Sequence, residues 1–324
     1  MKKRVLALLL TGAMCLSLAA CSDNSGGGAD TGDSGAGSGG ADAKNYRIAL
    51  LMSHQTNAFT TAVSEGAKEK SEELGVTVDV FDGAQDQAKQ ASQMEQCITQ
   101  GYDGILVEPI SVDGIAPSVK TANEADVPVM TVVQKMSQQE LAKSHCGGDD
   151  SKAGELQMQK AVEALGEAGN IVVLYGPMGS DAQIIRKEGY DKVLANYPNV
   201  HIVFEDTANW TTDEALTKVE TWLQTGTEIN AVVAQNDSMA LGAQKAVEDA
   251  GKQDDIMVFG IDAVPEGIAS VAAGAMDGTV SQAAKLQGAL GVETMYRFLN
   301  GESVEALNYT ECIWVTKDNA SDYQ

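Results

Sequence analysis

The side chains able to do bond-breaking chemistry are few in this chain of 324 residues. Its three histidines, His54, His145 and His201, stand far apart, without metal-ligand spacing and without a nucleophile motif beside them. His54 and His145 are expected near a cleft or hinge, in structural hydrogen-bonding roles. No phosphate loop ending in Gly-Lys-Ser/Thr and no Asp-rich calcium loop occurs, and the glycine run at 35–40 lacks a preceding strand. What stands out instead is a set of amides and carboxylates, Asn57, Glu108, Gln134, Asn236, Asp237 and Asp262, each at or just past the end of an apolar run. Amides donate and accept hydrogen bonds and carboxylates accept them, which is the chemistry of recognising a polar guest. Each residue has a second reading, because Asn and Asp also cap the helices that follow strands. For Glu108 and Asp237, capping or hinge roles weigh as much as binding.

Those residues are positioned by a regular alternation. The apolar runs are YRIALLMS from Tyr46, VTVDVFD from Val76, GILVEP from Gly104, VPVMTVV from Val127, NIVVLYGP from Asn170, NVHIVFED from Asn199, AVVAQND from Ala231 and IMVFGID from Ile256. They are rich in β-branched residues and bounded by turn residues, as buried parallel strands are. Between them lie amphipathic stretches such as 60–74 and 85–100, closed by Gly75 and Gly101, where a left-handed residue ends a helix. The pattern is βαβ throughout and divides in two, with Ile48 and Ile171 opening similar series 123 positions apart. The predicted fold is α/β, two doubly wound parallel-sheet lobes. Ligands in such sheets bind at the carboxyl ends of strands, so two facing sheets make a cleft lined by strand-end residues.

The N-terminal segment reads differently. Lys2, Lys3 and Arg4 precede an apolar run and a small-residue stretch, a secretion signal over 1–20, and Leu18-Ala19-Ala20-Cys21 looks like a lipobox that would leave Cys21 as a lipidated N-terminus. Residues 21–44, almost all Gly, Ser, Asp, Ala and Asn after the cysteine, form a flexible tether spanning roughly 25 Å. The formal charge of −24 becomes −27 once the three leader cations depart, which disfavours nucleic acid as a partner. Cys97, Cys146 and Cys312 are an odd, scattered set, read as small buried hydrophobes instead of a disulfide framework or a zinc site.

With Asn57-Ala58-Phe59 after the first strand, AQNDSMALGA from Ala234, Gly260-Ile261-Asp262 and Gly278-Thr279-Val280-Ser281-Gln282, the chain resembles the type I periplasmic binding proteins of the ribose and sugar-binding branch. The resemblance covers nearly all of 46–315. It implies a ligand site with Asn57 hydrogen-bonding the guest, Phe59 and Trp210 supplying aromatic faces, and Gln134, Asn236, Asp262 and Gln282 completing the polar set. It also implies an N-terminal lobe of 45–148 and 283–311 and a C-terminal lobe of 149–282 and 312–324. The expected function is extracytoplasmic capture of a sugar or polyol for an ABC transporter permease, without metal, cofactor or catalysis. A module presenting bound ligand to a membrane receptor or kinase is the alternative.

Two positions depart from the ribose pattern. Val133-Gln134 stands where an Asp-Arg pair is usual, and Ile184 where an arginine enters the helix after the fifth strand. A planar guanidinium makes bidentate contacts that Gln cannot copy, which argues against simple ribose. The expected pocket therefore has one clear carboxylate and no assured cation, with Arg186, two residues past Ile184, able to reach in, and suits a neutral or weakly cationic guest.

Overall fold

A computed structural model describes residues 45–323. Cys21, the secretion signal and the tether lie outside the described residues.

The first sheet is built from β1 (Arg47–Met52), β2 (Thr77–Asp82), β3 (Gly104–Val107), β4 (Val129–Val132) and β5 (His145–Gly148), joined at its edge by β11 (Leu307–Thr310) from the far end of the chain. Its order is β11-β5-β4-β3-β1-β2, parallel throughout. The second sheet contains β6 (Gly169–Tyr175), β7 (Val200–Thr207), β8 (Ala231–Ala234), β9 (Met257–Asp262), β10 (Gly278–Ser281) and β12 (Ile313–Val315). Its order is β12-β10-β9-β8-β6-β7, with only the edge strand β12 running antiparallel. Two parallel-sheet α/β lobes result. β1, β3 and β4 are buried almost end to end, because helices cover both faces and no side of the strand meets water.

The eight apolar runs correspond to β1–β4 and β6–β9. Four short strands went unread, and their sequences explain it. HCGG in β5 and GTVS in β10 carry little apolar signal, and LNYT and IWV in β11 and β12 are three- to four-residue edge strands. Cys97 and Cys146 are buried thiols, while Cys312 is only half-buried, and all three are free.

The chain passes between sheets after Gly148, after Ser281 and between β11 and β12. The second passage delivers α9 (Ala284–Leu299) to the first lobe, where it packs on α1 (Ala58–Leu74). Two glycines permit the approach: a Cβ on Gly66 would fall 1.9 Å from the Lys285 carbonyl oxygen, and one on Gly288 1.9 Å from that of Val63. Backbone meets backbone here, so neither side can yield by a rotamer change. Gly288→Ala is therefore expected to destabilise the fold by about 1–3 kcal/mol, read as a lower urea midpoint at unchanged m-value.

The lobes also touch directly. The Lys135 N–H donates to Asp181 Oδ2 at 3.0 Å, the Val112 N–H donates to the Gly179 carbonyl at 3.1 Å, and Val264 of the second lobe packs with Phe59 in the core of the first.

Candidate functional site

Between the two sets of strand ends lies a cavity of about 340 Å³ of atom-free space, part of it open to solvent. Its first-lobe wall is His54, Asn57, Phe59, Thr60, Glu108, Val133 and Gln134; Ala182, Arg186, Trp210, Asn236 and Asp262 form the opposite wall. Six of the seven residues expected at a ligand site thus face one space. Gln282 is not among the lining residues; His54, expected near a cleft or hinge, is, and Thr60, Val133 and Ala182 line it without having been singled out for it.

Two of the amides do both things proposed for them. Asn57 caps α1, its Oδ1 accepting the Thr60 N–H at 3.0 Å, and Asn236 caps α7 (Asp237–Asp249), accepting the Met239 N–H at 2.9 Å. Capping occupies the oxygen end and fixes the side chain, so the Nδ2 donors are what these amides offer the cavity. Asn57 Nδ2 lies 3.1 Å from His54 Nε2, which makes that ring nitrogen the acceptor. Gln134 is tied to both lobes, since its Oε1 accepts the Ala182 N–H at 3.4 Å and its Nε2 lies 3.5 Å from Glu108 Oε1.

Phe59 and Trp210 are both more than nine-tenths buried. Trp210 lies flat against the chain at Gly176, where a Cβ would come within 2.0 Å of the indole. Its own backbone is left-handed, φ 64°, as is that of Val133 at 62°, while Asp262 sits at φ 129°. Such conformations cost of order 1–3 kcal/mol each in a bulky or β-branched residue, and three of them share this cavity. Strain of this kind persists where the surrounding packing holds a side chain in one direction.

Arg186 reaches the cavity, so the pocket does hold a cation. It lies on α5 (Asp181–Leu194), more than nine-tenths buried, and lines the cavity. Its Nε donates to Asp150 Oδ1 at 2.8 Å, its Nη2 to Gln282 Oε1 at 2.7 Å, and its Nη1 to the Gln235 carbonyl. The position two residues past Ile184 was legible; the buried carboxylate that makes a buried guanidinium tolerable came from a remote segment. Gln282 is an anchor of this group: its Nε2 donates to Asp150 Oδ1 at 3.1 Å, and its carbonyl accepts from Thr310 Oγ1 and Gln287 Nε2, both at 2.8 Å.

Burial dominates the electrostatics. It raises the proton affinity of Glu108, against the opposing influence of His54 and the Ser53 N–H, and that of Asp262, against Arg186. It lowers that of His54, keeping the imidazole neutral. Asp237, one residue past Asn236, does not line the cavity. Pushed up to about 7 by burial, it accepts hydrogen bonds from Thr279 Oγ1 at 2.6 Å and the Val264 N–H at 3.0 Å, a structural role. Among the described residues no group of three His, Cys, Asp or Glu side chains could hold a metal ion.

His145, on β5, has Nδ1 3.0 Å from Thr131 Oγ1, and burial pushes it down to about 4. The unfolded chain then binds the extra proton between pH 6.5 and 4, so this residue's share of stability is complete above the ordinary histidine value and lost as pH falls through that window. Asp181, pushed up to about 6 by burial, works in the opposite sense, gaining stability on acidification from about 6 towards the ordinary carboxylate value. Between pH 7 and 4 the native chain is expected to lose about 3 kcal/mol more unfolding free energy than His145→Gln, measured by urea titration of both proteins.

The sequence model described as "Periplasmic binding protein domain" matches residues 48–303. The chain belongs to this family. As a periplasmic binding protein it has curated relatives of similar length. The xylitol-binding protein of Mycolicibacterium smegmatis is 33% identical over 97% of this chain and 85% of that protein. The ribose import binding protein of Escherichia coli is 32% identical over 80% and 86%. Among solved structures, an ABC transporter solute binding protein from Bacillus halodurans with bound myo-inositol superposes with TM-score 0.83 at 32% identity, covering 87% of this chain and 98% of that one. The family is one of binding proteins, so the site is to be read as a place of capture.

Proposed function

We propose that this periplasmic binding protein captures a small polyhydroxylated guest, a sugar or polyol, outside the cytoplasm and presents it to an ABC importer. The observation that carries the reading is the convergence of Asn57, Phe59, Gln134, Trp210, Asn236 and Asp262, drawn from both lobes, on one buried crevice. Aromatic faces suit the C–H side of such a guest, and the amide donors and carboxylate acceptors suit its hydroxyls. Gln282 belongs to the proposed set through its hold on Arg186. In a water-poor crevice an unmatched hydroxyl leaves a buried group unpaired, which is the source of selectivity. The relatives whose names specify xylitol and ribose, and the structure holding myo-inositol, support this class of guest.

The folded body is taken to divide into 45–148 with 283–311, and 149–282 with 312–324, hinged so that a guest bridging both lobes favours closure. Thermal-shift titration of the secreted chain with xylitol, ribose, myo-inositol and related polyols tests the reading. A guest at one hundred times its Kd stabilises by about 2.7 kcal/mol, and no response to any of them would refute the proposed class. Tight calorimetric binding of a sugar acid or sugar phosphate would contradict the anionic lining.

Anchoring through a lipid on Cys21, after removal of 1–20, belongs to the same proposal and rests on the lipobox. Acyl chains on Cys21 would hold the chain to the membrane. Cys21→Ala is expected to move the protein from the membrane fraction into the soluble one; an unchanged distribution argues against the anchor.

A further inference from the structure

The charges around the crevice do not balance. Arg186 is matched by Asp150, and Lys135, with Nζ 4.0 Å from Asp181, by that residue. Asp237 is satisfied by Thr279 and by the Val264 N–H. His54, kept neutral by burial, supplies no charge. Glu108 and Asp262 are left facing the cavity from opposite lobes, each more than nine-tenths buried and neither with a cation bonded to it.

Glu108 is the more poorly served. Its Oε2 accepts the Ser53 N–H at 3.0 Å, but Oε1 has only Gln134 Nε2, at the outer limit of a hydrogen bond, 3.5 Å. A buried carboxylate normally requires a counterion or several donors, and this one has no bonded cation and one of its two donors is at the limit of range. A hydroxyl would supply a donor. A protonated amine would supply a donor and the missing charge together, and charge-assisted hydrogen bonds are about twice as strong as neutral ones.

Resting on the proposed capture of a polyhydroxylated guest, we propose that the crevice prefers a guest bearing a primary ammonium group, an amino sugar or aminocyclitol, over the same molecule with a hydroxyl in its place, and that Glu108 reads the difference. Asp262, on the far wall, adds to the field but stands beside Arg186, which weakens its claim on a cation. Glu108 stands beside His54 instead, whose imidazole burial holds below the ordinary histidine value.

Matched pairs test this by calorimetry at neutral pH: glucose with glucosamine, galactose with galactosamine, and myo-inositol with an aminodeoxy-inositol. In at least one pair the amine is expected to bind ten-fold or more tightly than its hydroxyl partner. In Glu108→Gln, which keeps the shape and a hydrogen-bonding end, the ratio of amine to hydroxyl affinity is expected to fall by ten-fold or more, whatever happens to the hydroxyl partner's own affinity. Tighter binding of the neutral member in every responding pair overturns the inference and leaves the proposed function standing. An amine preference that survives Glu108→Gln removes Glu108 from the role. Silence from all the pairs overturns the inference, and if the xylitol and ribose titrations are silent too, the proposed function falls with it.

Discussion

Asp262→Asn weakens guest binding by roughly 10- to 150-fold, the equivalent of about 1.5–3 kcal/mol for a hydrogen bond to a charged acceptor, while the fold is retained. The substitution preserves the shape of the side chain and one acceptor oxygen but replaces the other with a donor, so a hydroxyl pointing at that edge meets the wrong partner. Stability should move the other way. Burial raises the proton affinity of Asp262 above the usual carboxylate range, so holding the charged form in the folded state costs free energy that a neutral amide does not. Asn also tolerates the unusual backbone at φ 129° as well as Asp does. The expected pair of results is an unchanged or raised Tm without guest, by calorimetric scanning, and a much higher Kd by titration. Unchanged affinity would take Asp262 out of the site.

Arg186→Met carries the largest expected loss of stability, about 3–5 kcal/mol. The residue is more than nine-tenths buried and its guanidinium engages Asp150, Gln282 and the Gln235 carbonyl, so its removal strands a buried carboxylate, an amide oxygen and a backbone acceptor at once. A thioether of similar length fills the space but offers no donors. Because Gln282 follows β10 and Asp150 opens α4 (Asp150–Ala164), the network ties together segments beside two of the passages between lobes. The variant should also bind guest poorly, since Arg186 lines the cavity within 5.7 Å of the Trp210 ring. Adding Asp150→Asn to Arg186→Met should restore part of the loss by neutralising the stranded charge. Denaturant titration of the two variants checks it, and a double variant no more stable than the single one would show that the ion pair is not the source.

The architecture was legible because parallel sheets covered on both faces leave a continuous apolar signature. Runs such as RIALLM and GILV announce themselves, and the Gly75 stop after α1 is read from one residue type. Cavity residues at strand ends were legible for the same reason: once the strands are placed, the carboxyl end of each is placed too, and Asn57, Gln134, Asn236 and Asp262 follow. Glu108 and Asp237 occupied equivalent positions in the pattern, yet the first lines the cavity and the second props up Val264 and Thr279 beneath it.

Local periodicity, strand-end position and composition, which act over a few residues, were enough to determine two α/β lobes and the polar character of their facing edges. Tertiary structure alone decided which charges meet. Arg186 finds Asp150 across 36 residues and Gln282 across 96, Gly66 and Gly288 bring α9 home to α1, and the strained backbones of Val133 and Trp210 turn toward the crevice. Burial and pairing depend on distances between segments remote in sequence, and the energy of a charge depends on its surroundings far more than on its neighbours along the chain.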